Sequence, residues 1–267
     1  MPRRENTPAV FLEKKMTCHE IAALLDAELR LNAFKDVSNN GLQLENRGEI
    51  LSVATAVDAS IETFEAAALR GAQMVIVHHG FSWGGSLARI TGLNYRLLEC
   101  AIRLNLAVYA AHLPLDAHPQ LGNNAQLAKG LSLQNVRPFM DYHGQKIGFA
   151  GELQEPLSRD AFAALVTKVV QPKRLERLDY GPEWIQRVGI CSGGAPEGVE
   201  SAAAEGLDAY LCGEVNLVAY NLAKQLNMNG FFAGHYATER FGVRALGEWL
   251  SEKATLDVSF IDFELPF

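Results

Sequence analysis

Two adjacent histidines, His78 and His79, follow the apolar run Met74-Val75-Ile76-Val77 and precede Gly80. The run reads as a buried strand, because β-branched side chains suit a pleated, packed surface. Successive side chains on a strand point to opposite faces. The two imidazoles can therefore approach one point only where the strand ends and the backbone turns. In α/β sheets that end is where ligands sit. Two further apolar runs lead to the same chemistry: residues 107–111 to His112 and Asp116, and residues 231–233 to His235 and Glu239. Imidazole and carboxylate donors together suit zinc, iron, manganese, cobalt or nickel, and not calcium or copper(I). A catalytic ion needs about three protein ligands. His78, His79, Asp116, His235 and Glu239, with His112 as a sixth, suffice for two divalent ions that would activate water between them. The requirement is spatial: three strand ends, distant in the chain, must meet.

Each candidate also has a plainer reading. Asp116 could only form a turn after Pro114, and Glu239 could only be a favourable first-turn acid. Two imidazoles at the end of a buried strand are harder to dismiss, because they cost desolvation without partners. His19, His118 and His143 read as surface or core histidines. Phe81 and Trp83 read as pocket walls, or as core or contact residues. The glycine pairs 84–85 and 193–194 do not make a Walker-type or dinucleotide-binding pattern.

The elements that must position these groups alternate in type. Thr17 and Glu20 form a capping box for a helix to about residue 31. Ser60 caps a helix that Gly71 stops, and Ser158 caps one reaching about 170. Strands read over 50–57, 146–152, 185–191, 207–212 and 258–263. Other helices read over about 94–104, from after Asn124 to about 130, up to 205, and 216–226, and Glu239 opens a last helix to about 253. Strands alternating with helices of about this length indicate α/β architecture with largely parallel pairing. The chain also repeats itself. At an offset of 135, residues 50–71 meet 185–206 with seven identities in 22, Val53 with Val188 and Gly71 with Gly206 among them. At an offset of 123, His112 meets His235 and Asp116 meets Glu239. A duplication would bring two similar lobes face to face, with strand ends sharing one cleft.

A chain of 267 residues, 48% hydrophobic, can bury a real core in one large or two small domains. Its net charge of −7 and lack of a basic run disfavour nucleic acid as a partner. No apolar stretch is long enough to span a membrane, and no apolar signal core opens the chain. A cytoplasmic home follows. Residues 1–15 read as a disordered extension, with Met16 opening the first regular element. Cys18, Cys100, Cys191 and Cys212 form no CxxC pair, and three of them sit inside apolar patterns and read as reduced buried thiols.

Together the element Asn39-Asn40-Gly41-Leu42, the strand ending His78-His79-Gly80, the A-H-x-x-x-D of Ala111 to Asp116 and the G-H-Y-x-T-E of Gly234 to Glu239 carry a resemblance. The chain resembles the NIF-three-like dinuclear-metal hexameric proteins, the GTP cyclohydrolase 1 type 2 homologues. A Trp-Asp pair often precedes the first element in that family; here Val37-Ser38 stands there. The resemblance implies two intertwined, similar α/β/α lobes with the metal site in the cleft between them. Residues 16–125, completed by 230–267, would form the first lobe and 126–229 the second. It implies two divalent metal ions per chain, zinc, iron or manganese, on His78, His79, Asp116, His235 and Glu239. His112 would orient these ligands or serve as an occasional one. It further implies a homohexamer and a hydrolase whose small-molecule substrate is a purine nucleotide such as GTP. The alternatives are a non-catalytic metal-handling or protein-interaction scaffold, and a phosphoesterase with Arg240 and Arg244 on the phosphate.

Overall fold

Thr17 accepts the Glu20 amide on its hydroxyl, and the Glu20 carboxylate accepts the Thr17 amide in return. Two of the four free amides at this end are thus satisfied, and helix α1 (Cys18–Leu29) starts there. Ile21, Leu25 and Leu29, one turn apart, make its buried stripe. The computed structural model describes residues 15–85 and 89–265. Of the expected extension only Lys15 lies among them, paired at the surface with Glu49.

After α1 come β1 (Gly41–Leu44), β2 (Ser52–Asp58), α2 (Ile61–Leu69), β3 (Met74–His79), α3 (Leu93–Arg103) and β4 (Ala107–Ala110). A single turn, α4 (Leu113–Asp116), leads to α5 (Asn123–Gly130), β5 (Gln134–Tyr142), β6 (Gln145–Ser158) and α6 (Arg159–Val170). Then follow β7 (Glu176–Asp179), β8 (Trp184–Cys191), α7 (Gly198–Ala204), β9 (Ala209–Cys212), α8 (Leu217–Leu226) and β10 (Asn229–Phe232). Helix α9 (His235–Ala254) and β11 (Asp257–Phe260) close the described chain.

The strands form two sheets, in the orders β1-β4-β3-β2-β11 and β5-β6-β8-β9-β10-β7. The duplication is visible in them. Strands β2, β3 and β4 run parallel with antiparallel β1 beside β4. Strands β8, β9 and β10 run parallel with antiparallel β7 beside β10. In each sheet the strand that comes just before the parallel trio in the chain lies antiparallel at its far edge.

Helices α2 and α3 cover one face of the first sheet, and α1 and α9 the other. The second sheet lies between α5 with α6 and α7 with α8. Helices α5 and α9 pack on each other between the sheets. The fold is thus α/β, built from two similar, interlocked α/β/α lobes.

Three expectations need correction. The second sheet is mixed, not largely parallel, because β5 and β6 enter it antiparallel. Strand β5 escapes a pattern search because almost all of its residues are exposed, leaving no apolar alternation. The last helix opens at His235, not Glu239. The chain's return at residue 230 falls inside β10, which stands in the six-stranded sheet, while β11 joins the other.

Candidate metal centre

Strand β3 alternates cleanly: Met74 and Ile76 face the α1/α9 core, Val75 and Val77 the α2/α3 core. His78 continues the first series and so faces α9, fully buried. His79 is the last residue of the strand, where the pleat ends. Its ring settles 4.7 Å from that of His78, tilted by 49°. The two imidazoles therefore meet at the strand end.

Each of four imidazoles is held from outside through Nδ1. His78 Nδ1 lies 2.8 Å from the Ala111 carbonyl oxygen. A carbonyl only accepts, so in the neutral ring Nδ1 carries the hydrogen and Nε2 the lone pair. His79 donates to Asp58 at 2.8 Å, its register partner at the end of β2. His112 donates to Asp36 at 2.9 Å, and His235 to Glu214 at 2.6 Å. Outer acceptors that fix the tautomer and aim the other nitrogen inward are the usual support of metal-binding histidines.

Two carboxylates meet these nitrogens. Glu239 stands one turn beyond His235 on α9, a spacing that puts both on one helix face. Its Oε1 is 3.1 Å from His235 Nε2 and 3.5 Å from His78 Nε2; its Oε2 is 3.3 Å from His79 Nε2. Asp116 Oδ1 accepts from Asn123 Nδ2 and Ser192 Oγ, at 2.9 and 3.0 Å. Its Oδ2 faces His78 Nε2 at 3.4 Å. The structure thus brings together all six candidates read from the sequence.

Two triads of ligand atoms could each hold an ion: His78, His79 and His112, and His79, His235 and Glu239. Within each, the atoms lie within 4.8 Å of one another. The fit to a metal rests on two atoms. His78 Nε2 and Glu239 Oε2 are buried and hydrogen-bond to nothing. An unpaired buried polar atom costs about 1–3 kcal/mol. A divalent cation between them would satisfy both.

Charge follows the same geometry. Burial opposes a proton on His78, but the carboxylates of Asp116 and Glu239 outweigh it and hold its pKa well above the usual 6.5. His235 is likewise opposed by burial and lifted by Glu239 and Glu214, to about 9. Burial would raise Glu239, yet His78 and His235 hold it far below the ordinary carboxylate range. Protons thus balance the carboxylates where cations would, and metal binding would release them.

Glycine makes the approach possible. A Cβ on Gly193, whose φ is +68°, would overlap Glu239 Oε1 and lie 3.1 Å from His235 Nε2. The offset of 135 places Gly213-Glu214 of β9's end where the first lobe has His78-His79. The end of β9 accordingly supplies only Glu214 as a support, and the second His-acid pair comes from α9, the helix that follows β10. A cleft of about 540 Å³ opens beside the cluster, walled by Trp83, Leu113, Met140, Tyr142 and Ile147.

Asp36, Asp58 and Glu214 were not singled out as functional by their sequence. Asp36 alone takes the His112 ring, the Leu113 amide, and Asn40 Nδ2. That gives the loop before β1 a role despite its Val37-Ser38. Trp83 lines the cleft, whereas Phe81 packs into the α2/α3 core. His19 and His118 pair with Glu45 and Glu28 away from the cluster. Arg240 and Arg244 do not reach it: Arg240 is bound to the Val170 carbonyl and Asp262, and Arg244 to Asp262 over Phe260. All four cysteines are buried and free.

The sequence profile of the Duf34/NIF3 (NGG1p interacting factor 3) family matches residues 16–265. The chain belongs to this family. Among its Duf34/NIF3 relatives is the GTP cyclohydrolase 1 type 2 homolog of Deinococcus radiodurans. It is 42% identical over 244 residues, covering 91% of this chain and 92% of that protein. The protein of the same name from Haemophilus influenzae is 38% identical over 247 residues, 92% of this chain and 98% of its own. Among solved structures, the protein ybgI, described as of unknown function, superposes with a TM-score of 0.88 at 38% identity. It covers 94% of this chain and 100% of its own. No described helix of this Duf34/NIF3 chain is long and apolar enough to cross a membrane.

Proposed function

We propose that this protein is a dinuclear divalent-metal hydrolase. His78, His79, Asp116, His235 and Glu239 would hold two ions, zinc, iron or manganese, with His112 beside them. The observation that carries the reading is the convergence of four outward-tethered imidazoles on two buried carboxylates, with His78 Nε2 and Glu239 Oε2 unpaired. Cations in such a site supply Lewis acidity that brings the pKa of water toward neutrality.

The chain's own groups do the rest. Glu239 turns one oxygen to His78 and His235 and the other to His79, so both its oxygens face nitrogens that would hold an ion. Ser192 and Asn123 fix Asp116 through its outer oxygen and leave Oδ2 facing His78 Nε2. His112, its Nδ1 held by Asp36 and its ring edge-on to Trp83, keeps Nε2 free to orient a ligand or move a proton. Apolar walls limit water around the reacting centre. The relatives' name, GTP cyclohydrolase 1 type 2 homolog, supports ring opening of a purine-like substrate as the reaction class. The family resemblance supports a homohexamer.

The test is a mass-spectrometric substrate screen of metal-loaded protein, with Glu239→Ala as the blank. Turnover of a nucleobase-containing compound that the variant lacks would support the reading. No turnover with two ions bound per chain would favour a non-catalytic metal-handling role.

A further inference from the structure

We infer that the cleft selects a flat, uncharged nitrogen heterocycle, a free base or nucleoside, and discriminates against polyphosphate forms of the same ring. The inference rests on the cleft of the proposed hydrolase being where the ligand binds.

One wall of the cleft is a fixed aromatic surface. Trp83 donates its indole N–H to the Gly80 carbonyl at 2.7 Å. Its ring stands edge-on to His112, with centroids 5.2 Å apart at 74°. Held at both places, Trp83 still keeps 39% of its surface exposed. Tyr142, with 38% exposed, lines the same cleft. Exposed, immobilised rings are platforms on which a planar base stacks without regard to its charge.

The charge around the cleft is negative. Among the described residues, no lysine or arginine lines it, while Asp36, Asp116, Glu197 and Glu239 do. Asp58 and Glu214 stand directly behind His79 and His235. These six carboxylates exceed the four positive charges that two divalent ions would bring, so even a loaded site keeps a net negative surround. A triphosphate adds several further negative charges and finds no guanidinium to fork it.

The two arginines closest along the chain to Glu239 are spent on Asp262. Lys35 lines a shallower neighbouring groove that shares Asp36, Val37 and Tyr142 with the cleft. One lysine beside an aspartate does not balance a polyphosphate.

The experiment is calorimetry on the full metal-loaded chain. The probes are adenosine, guanosine, cytidine, uridine and their 5′-triphosphates, with metal content measured after each titration. At least one nucleoside should bind about ten-fold more tightly than its triphosphate. Trp83→Ala should weaken that nucleoside about ten-fold, the effect of one lost stacking partner, while metal content holds. Trp83→Phe, which keeps a ring, should retain most of the affinity.

Triphosphates binding as well as or better than every nucleoside would overturn the inference. So would no nucleoside binding at all, or a Trp83→Ala variant with unchanged affinity. Binding is read without turnover. Nucleoside binding without hydrolysis would keep this inference and remove the hydrolase. Tight binding and hydrolysis of GTP would do the reverse.

Discussion

Asp36 accepts the Nδ1–H of His112 at 2.9 Å across 76 positions of sequence, and the amide of Leu113 at 3.0 Å. One carboxylate thus fixes both the ring beside the metal site and the start of α4, the turn that ends in Asp116. A loop ahead of β1 therefore sets the geometry of two groups at the far end of β4.

Asp36→Ala removes that support from both at once. Metal affinity should fall about 10–100-fold, the usual cost of losing a residue that orients ligands. Leaving the Leu113 amide unpaired should cost about 1–3 kcal/mol of stability. Isothermal titration with zinc and urea unfolding measure the two effects separately. Unchanged affinity in a folded variant would show that the His112 ring needs no such tether.

The proton balance of the cluster makes stability depend on pH in a stated direction. His235 has its pKa raised to about 9 by Glu239 and Glu214 against the opposing effect of burial. Its folded pKa exceeds its unfolded value, so the stabilisation is fully present below about 6.5 and is lost as pH rises through about 9. His78 shifts in the same direction. Metal-stripped protein should therefore lose melting temperature between pH 6.5 and 9. Metal-loaded protein should not, because cations replace the protons. Parallel pH profiles of the two forms would sink this reading.

Gly193 is a position that only glycine fits. Its φ of +68° disfavours any side chain by about 1–2 kcal/mol, and the added methyl would collide with Glu239 Oε1. Gly193→Ala should lower stability by at least about that amount and displace the carboxylate that both sets of nitrogens share. Elemental analysis of the purified variant should find metal lost along with stability. A variant that retained full metal content would show that Glu239 does not need its observed position.

The site was legible in the sequence to the extent that its donors lie at the ends of apolar runs. His78-His79 after Val77 and the His-x-x-x-acid spacings at His112 and His235 marked three ends that do meet. The duplication was legible for the same reason: Val53 and Val188 occupy equivalent buried places in β2 and β8. The supports were not legible. Asp36 and Glu214 act on rings 76 and 21 positions away, and nothing in their neighbourhoods distinguishes them from ordinary polar loop residues. The start of α9 was misread because Gly234, at φ +90°, precedes it without a side-chain cap. With the helix begun at His235, the spacing to Glu239 becomes one turn of a single face rather than a strand end facing a helix start.

Anomalous diffraction from crystals of zinc- or manganese-loaded protein tests the central claim most directly. The account predicts two peaks per chain roughly 3.5–4 Å apart, flanking the Glu239 carboxylate and within bonding distance of His78 and His235 Nε2. No peak there, in crystals whose protein was shown to be metal-loaded, would contradict it.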